Sequence, residues 1–144
     1  MAFIHTFHGT VFTGIGKGSY YVGHPEYKMR ILEKLGYEPY PGTLNLRLRE
    51  PREIADRKKL RMIRGVKIAA FEYNGERFSS LNCFDGEMDG LRVSLLIVEI
   101  THYDDSVIEL ISPIFLRGKL GLNDGDSVSA TIWGAREGQG TLRP

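Results

Sequence analysis

The sequence predicts a mainly β protein, a small barrel carrying one or two short helices. Three observations predict it. Seventeen of the 144 residues are glycine, which suits tight turns. Short strand-like runs are many, Thr43 to Arg49 alternating cleanly, and helical periods are few. Asn74-Gly75 stands between two apolar runs, the strongest short hairpin signal. In chain order, Phe3 to Phe12 reads as a strand, Thr13 to Gly18 as a loop, and Ser19-Tyr20-Tyr21-Val22 as a short return strand. One helix follows: Pro25 suits a first helical position, Tyr27, Ile31 and Leu35 fall four apart, and Gly36 is a stop. Pro39-Tyr40-Pro41-Gly42 forces a turn. Thr43 to Arg49 then alternates, with Leu44, Leu46 and Leu48 on one side and Thr43, Asn45, Arg47 and Arg49 on the other. Pro51 to Arg61 is charged and reads as a short surface helix. Val66 to Tyr73 and the run from Phe78 flank the Asn-Gly turn, and Asn82 to Gly90 reads as a loop. Leu91 to Ile100 and Val107 to Ile111 are joined by a turn at Asp104-Asp105, and Asn123-Asp124-Gly125-Asp126 precedes a last strand, Val128 to Trp133. Closing such strands into a barrel removes exposed edges. Residues 1–136 form one domain in this reading, and 137–144 a flexible tail.

Composition narrows the function. Hydrophobic residues make up 42% and charged residues 26%, an ordinary globular balance. Lys plus Arg number 19 against 18 Asp plus Glu, a net charge of +1, which argues against a dedicated binder of nucleic acid or anionic membrane. A local basic stretch remains, Arg47, Arg49, Arg52, Arg57, Lys58, Lys59, Arg61 and Arg64, with Glu50, Glu53 and Asp56 as partners on a solvated helix face. Cys83 is the lone cysteine, and neither it nor His5, His8, His24 and His102 has metal-ligand spacing. No basic stretch followed by a long apolar run opens the chain, and no apolar run approaches the ~18 residues of a membrane helix. The expectation is a cytoplasmic, monomeric protein without membrane or nucleic-acid partners.

Three segments carry polar chemistry. Gly14-Ile15-Gly16-Lys17-Gly18-Ser19 places alternate glycines beside a lysine, so that backbone N–H groups can converge on phosphate oxygens. The spacing matches neither a Walker A loop nor a dinucleotide fingerprint, and taken alone the run reads as a hairpin loop. Thr43 and Asn45 project from one strand face and offer a hydroxyl and an amide oxygen, a pair able to complete a magnesium–nucleotide site. Taken alone, they read as a strand threonine and a turn asparagine. Thr101 ends one strand and Glu109 lies in the next, able to present a hydroxyl and a carboxylate to a polyol or a ring edge. Arg117, after Ile114-Phe115-Leu116, can pair with a phosphate or with a carboxylate nearby.

In combination these segments resemble the archaeal CTP-dependent riboflavin kinase family. The resemblance rests on Gly9-x-Val11, Gly14-Ile15-Gly16-Lys17-Gly18 with Tyr20-Tyr21-Val22, Leu35-Gly36-Tyr37, and above all Pro39-Tyr40-Pro41-Gly42-Thr43-Leu44-Asn45-Leu46. It continues through Asn74-Gly75-Glu76-Arg77-Phe78, Thr101-His102-Tyr103, Glu109 to Pro113 and Leu116-Arg117, spanning residues 3 to 133. It implies a compact six-stranded cradle-loop β-barrel and transfer of the γ-phosphate of CTP to riboflavin, giving FMN and CDP. It implies nucleotide contacts at Gly14, Ile15, Gly16, Lys17, Gly18 and Ser19 and at Ile114, Phe115, Leu116 and Arg117. It further implies a magnesium or other divalent ion at Thr43 and Asn45 and flavin contacts at Thr101 and Glu109. The physics of phosphoryl transfer, which needs little help from a base, makes the Glu109 carboxylate the candidate catalytic proton acceptor. The sequence departs from the pattern at Val98-Glu99-Ile100, where a proline and a basic residue are implied, and across Asn82 to Gly90. The alternatives are a kinase using ATP or another polyol, or a non-enzymatic barrel that binds DNA or protein.

Overall fold

The computed structural model describes residues 3–15, 18–99, 101 and 103–134. The first strand, β1 (Phe3–Phe12), is followed by a five-residue helix α1 (Gly18–Val22) and by α2 (Pro25–Leu35). His24 caps α2, its Nδ1 accepting the Glu26 N–H at 3.1 Å, and Gly36 closes the helix at φ 84°. Then come β2 (Leu44–Leu48), α3 (Pro51–Lys59) with a 3-10 turn at Leu60–Met62, β3 (Val66–Ile68), β4 (Phe71–Tyr73), β5 (Glu76–Phe78), β6 (Leu81–Met88) and β7 (Leu91–Val98). The chain continues through β8 (Val107–Ile111) and α4 (Leu116–Leu120) to β9 (Ser127–Gly134).

Six strands close on themselves in the order β6-β7-β8-β2-β1-β9, and β9 returns to β6 through Gly86↔Ile132 and Glu87↔Thr131. Every pairing in this ring is antiparallel. Gly86 permits the closure, because a Cβ there would collide with the Thr131 carbonyl and stand 2.5 Å from Ile132 Cδ1. β3 extends the sheet beyond β6, and β4 with β5 forms a separate hairpin. The barrel interior is filled by Phe7, Val11, Leu46, Leu95, Ile108 and Ile132, all but sealed from solvent. A second apolar cluster lies on the outside of the wall, where Tyr27, Ile31 and Leu35 of α2 meet Leu81, Cys83, Leu96 and Ile111. Full burial of a side chain such as Ile31 contributes roughly 1.5–3 kcal/mol.

The mainly β, six-stranded barrel is the expected one, with four short α-helices among the described residues in place of one or two. Three local expectations need correction. Ser19 to Val22 is helical, not a return strand. Both edges of β1 are occupied, by β2 and β9, so the chain leaving β1 has no edge to pair with. It coils instead, with Gly23 N–H donating to the Ser19 carbonyl at 3.0 Å and Val22 buried. Asn82 to Gly90 is almost wholly the strand β6, leaving only a tight Asp89-Gly90 turn at φ 50° and 77°. Its alternation is hidden because Cys83 faces the outer cluster while Phe84 and Met88 fill the barrel. Val66 to Tyr73 splits at residues 69–70 into strands of different sheets, while the Asn74-Gly75 hairpin forms as predicted, with φ 50° and 79°.

The basic stretch is also partnered otherwise than expected. Glu53 and Asp56 of α3 turn toward His8 and His5 of β1, at 2.8 and 3.5 Å, while Arg57 and Arg61 pair with Asp105. The predicted tail, 137–144, lies outside the described residues, as do Gly16, Lys17, Ile100 and His102.

Candidate functional site

Register across the outer wall sets the site. Asn45 on β2 is opposite Glu109 on β8, and Glu109 is opposite Leu96 on β7. Leu44, Leu46, Ile108 and Leu110 point into the barrel core, so Asn45, between the first two, and Glu109, between the last two, stand outside it. There they line a cavity of about 250 Å³ between the wall, α1, α2 and the β4–β5 hairpin. Leu81, Leu96, Val98 and Ile31 supply apolar surface, and Thr43, Asn45, Thr101, Tyr103 and Glu109 supply polar groups. Glu109 is the one carboxylate among the described lining residues and Arg77 the one cation. Burial raises the Glu109 carboxyl above the ordinary carboxylate value, with the Arg57 charge acting in the opposite direction.

Thr43 and Asn45 converge at one end. The Thr43 hydroxyl donates to Asn45 Oδ1 at 3.1 Å. Neighbouring oxygens of an octahedral magnesium site, each 2.0–2.1 Å from the ion, lie about 3 Å apart, so this donor pair fits two adjacent positions. Both oxygens are neutral, which leaves room for phosphate charge on the same ion. Among the described residues, no group of three His, Cys, Asp or Glu side chains is placed to hold a metal. Gly14 and Gly18 of the glycine segment sit directly on this pair. A Cβ on Gly14 would stand 2.5 Å from Asn45 Nδ2, and one on Gly18 would stand 2.7 Å from Thr43 Oγ1. Tyr103 secures the approach, its hydroxyl accepting the Ile15 N–H at 3.1 Å.

A second cavity of about 140 Å³ adjoins the first, and Thr43 lines both. Its other wall is Ile114, Phe115, Leu116 and Arg117, the last two starting α4. The Phe115 ring stacks on Tyr40, with centroids 4.9 Å apart and planes 20° apart. Arg117 takes the carboxylate option, donating to Asp124 Oδ1 at 2.7 Å, and Thr13 donates to the same carboxylate at 3.0 Å. That arrangement joins the start of the glycine segment to α4. It also holds the Asp124 carboxyl below its ordinary value, chiefly through the Arg117 bond.

The structure therefore brings Ile15, Gly18, Thr43, Asn45, Thr101 and Glu109 to one cavity and Ile114 to Arg117 to its neighbour. Ser19 lines neither and spends its carbonyl on α1. Sequence reasoning missed Tyr103, Arg77 and Tyr40 as site residues. Tyr103 had a signal, its place two residues after Thr101. Arg77 had only its place in the Asn74 to Phe78 run, and the fold of the hairpin carries it to the cavity. The departure at Val98-Glu99-Ile100 puts Glu99 beside that arginine, with Arg77 Nη2 donating to Glu99 Oε1 at 3.1 Å.

A closed six-stranded antiparallel β-barrel with two neighbouring cavities that share Thr43 is the class of protein that the fold and site define. The chain belongs to the CTP-dep_RFKase family, described as "Domain of unknown function DUF120", whose model matches residues 11–132. It is 41% identical over 124 residues to a riboflavin kinase of Archaeoglobus fulgidus, covering 86% of this chain and 53% of that protein. It is 40% identical over 126 residues to a riboflavin kinase of Methanococcoides burtonii, covering 87% and 56%. Against a riboflavin kinase of Ignicoccus hospitalis it is 37% identical over 125 residues, covering 87% and 69%. The chain spans little more than half the length of most of the curated relatives it matches. Among the described residues, no helix is long and apolar enough to cross a membrane.

Proposed function

We propose that this chain is a CTP-dependent riboflavin kinase, transferring the γ-phosphate of CTP to the 5'-hydroxyl of riboflavin to give FMN and CDP. The observation that carries the reading is that Thr43 belongs to both cavities. A donor nucleotide along the Ile114–Arg117 wall and an acceptor over Thr101 and Glu109 would then meet at the Thr43–Asn45 pair. The relatives named riboflavin kinase support the acceptor, and the family's label supports the donor. The basic stretch gives little support to a DNA-binding alternative, since Arg57 and Arg61 are engaged with Asp105.

Phosphoryl transfer asks the protein mainly for positioning and charge neutralisation. In this reading the backbone of Gly14 to Ser19 and the Lys17 ammonium hold the phosphates. Thr43 and Asn45 would hold Mg²⁺, which would supply charge neutralisation when bound. Thr101 and Glu109 orient the ribityl chain so that its terminal oxygen lies in line with the γ-phosphorus. The new P–O bond forms to that oxygen as the bond to the CDP oxygen breaks, and the hydroxyl proton passes to the Glu109 carboxylate.

The test is a product assay with riboflavin, Mg²⁺ and either CTP or ATP, separating FMN from riboflavin. FMN with CTP and none with ATP is the expected result. FMN with ATP alone would overturn the donor, and no FMN from folded protein with either nucleotide would overturn the kinase.

A further inference from the structure

We infer that Arg77, held in place by Glu99, binds the polar edge of the flavin ring system and thereby selects a flavin at this site; the inference rests on the flavin reading above. Two of the polar places of the larger cavity lie on different elements of its wall. One is the Thr43–Asn45–Glu109 corner, and the other is the base of the β4–β5 hairpin, where Arg77 and Ser79 join the lining.

Strand register sets the distance between them. Asn45, Glu109 and Leu96 are successive cross-strand neighbours on β2, β8 and β7, and Leu81 on β6 is opposite Val98, two residues further along β7. At about 4.8 Å per strand, the wall from Asn45 to Leu81 crosses three strand spacings, about 14 Å. From Leu81 the chain runs back through Ser79 to Arg77. The strip between the two polar places is Leu96, Val98 and Leu81, an apolar surface for the face of a flat heterocycle. A five-carbon polyol chain followed by a three-ring heterocycle fills such a site, with its terminal hydroxyl at the Thr43–Asn45 corner.

Chemistry then fixes which edge of the ring reaches Arg77. The benzenoid edge carries methyl groups and cannot accept a hydrogen bond. The pyrimidine edge carries two carbonyl oxygens and a ring nitrogen acceptor, the pattern that a planar guanidinium fork matches. The guanidinium is aimed by its partner. Arg77 Nη2 donates to Glu99 Oε1 at 3.1 Å, and the same oxygen accepts the Ser80 N–H at 3.3 Å. That backbone bond, with the arginine, holds the Glu99 carboxyl below its ordinary value, so the anchor stays ionised at neutral pH. The hairpin is itself fixed, because Phe71 stacks on Phe78 with planes 7° apart and the Tyr27 hydroxyl donates to the Ser79 carbonyl.

The test uses lumiflavin, which has the ring system and no ribityl chain, so that its binding reports ring contacts alone. Wild type is expected to bind it, with flavin fluorescence as the readout, and to make FMN from riboflavin. Arg77→Ala is expected to weaken lumiflavin binding about tenfold or more, while the KM for CTP stays within about twofold. Arg77→Lys is expected to recover part of the loss, and Glu99→Gln to fall between wild type and Arg77→Ala. Lumiflavin binding by Arg77→Ala equal to wild type would overturn the inference and leave the flavin reading standing. Equal losses for lumiflavin and CTP with a lowered Tm, not rescued by lysine, would overturn it in favour of a structural ion pair. Wild type that neither binds lumiflavin nor makes FMN would overturn the flavin reading and this inference with it.

Discussion

Gly18 lies directly against Thr43, so close that a Cβ on the glycine would stand 2.7 Å from Thr43 Oγ1 and 3.0 Å from its backbone nitrogen. Neither clash can be relieved by a flexible side-chain end, since one atom is backbone and the other sits one bond from Cβ. Gly18→Ala must therefore push the glycine segment away from the Thr43–Asn45 pair. Because the site is on the outer wall and the barrel core is untouched, the predicted effect is on rate more than on folding. Misplacement of about 1 Å costs on the order of a hundredfold in turnover. The check is kcat for FMN formation beside a thermal unfolding curve, with kcat lowered on that scale and Tm little changed.

Asn45 is buried and shares its oxygen with the Thr43 hydroxyl, so its amide orientation is fixed before any ligand arrives. Asn45→Ala removes one of two neutral oxygens proposed to hold the divalent ion. Apparent Mg²⁺ affinity should fall at least 10- to 100-fold, the range typical of losing even an outer-shell partner. Rates measured against Mg²⁺ concentration should shift to higher Mg²⁺ and recover in part at saturation. An unchanged Mg²⁺ profile would remove Asn45 from the metal site.

Cys83 is 1% exposed on β6, and burial, with a smaller contribution from Asp85, pushes its thiol up to about 12 from an ordinary 9.0. The thiolate is the reactive form, so the folded protein should not react with a disulfide reagent at pH 8, while the unfolded chain should release one equivalent. The same shift gives a sign for stability. The folded state keeps the proton where the unfolded thiol loses it, so this contribution is intact below pH 9 and is lost as pH rises toward 12. Thiol titration with and without denaturant checks the first point, and unfolding curves between pH 8 and 10 the second.

What could be read in the sequence followed local signals. The α2 period, its Gly36 stop, the Asn74-Gly75 turn and the Leu44-Leu46-Leu48 alternation each depend on residues close in the chain, and each appears as expected. Pairing does not. Ser19 to Val22 has strand-like residues, yet β1 has no free edge, and that fact is set by β2 and β9, which lie 20 to 120 residues further on. β6 was hidden because it is covered on both faces, so it lacks alternation. The site was legible as motifs, Thr43-x-Asn45 and the glycine run, and illegible where long-range folding brings in a side chain, as with Arg77. Arg57 is the sharpest case, a charged residue of a polar helix that is 4% exposed.

That arginine yields the last prediction. Its Nε donates to the Val107 carbonyl at 3.1 Å, tying α3 to the start of β8, the strand that carries Glu109. Its Nη1 is buried, 3.6 Å from Asp105 Oδ1 and without a hydrogen bond. Desolvation lowers its pKa, so burial of this charge is only partly compensated. Asp105 has a second cation, Arg61, whose Nε donates to it at 2.9 Å. Removing the Arg57 charge thus leaves Asp105 paired, though it takes from the partly buried Glu109 carboxyl the charge that opposes its upward shift. Arg57→Met, which keeps the length and packing of the side chain, should be clearly less destabilising than Arg57→Ala, because the lost charged bond to Val107, worth about 1.5–3 kcal/mol, is offset by removal of a buried charge. Arg57→Ala also opens a cavity and should cost about 2–4 kcal/mol. Urea unfolding midpoints at constant slope separate the two. A methionine variant destabilised as much as the alanine variant would show that the charge, not the packing of the side chain, holds α3 to the barrel.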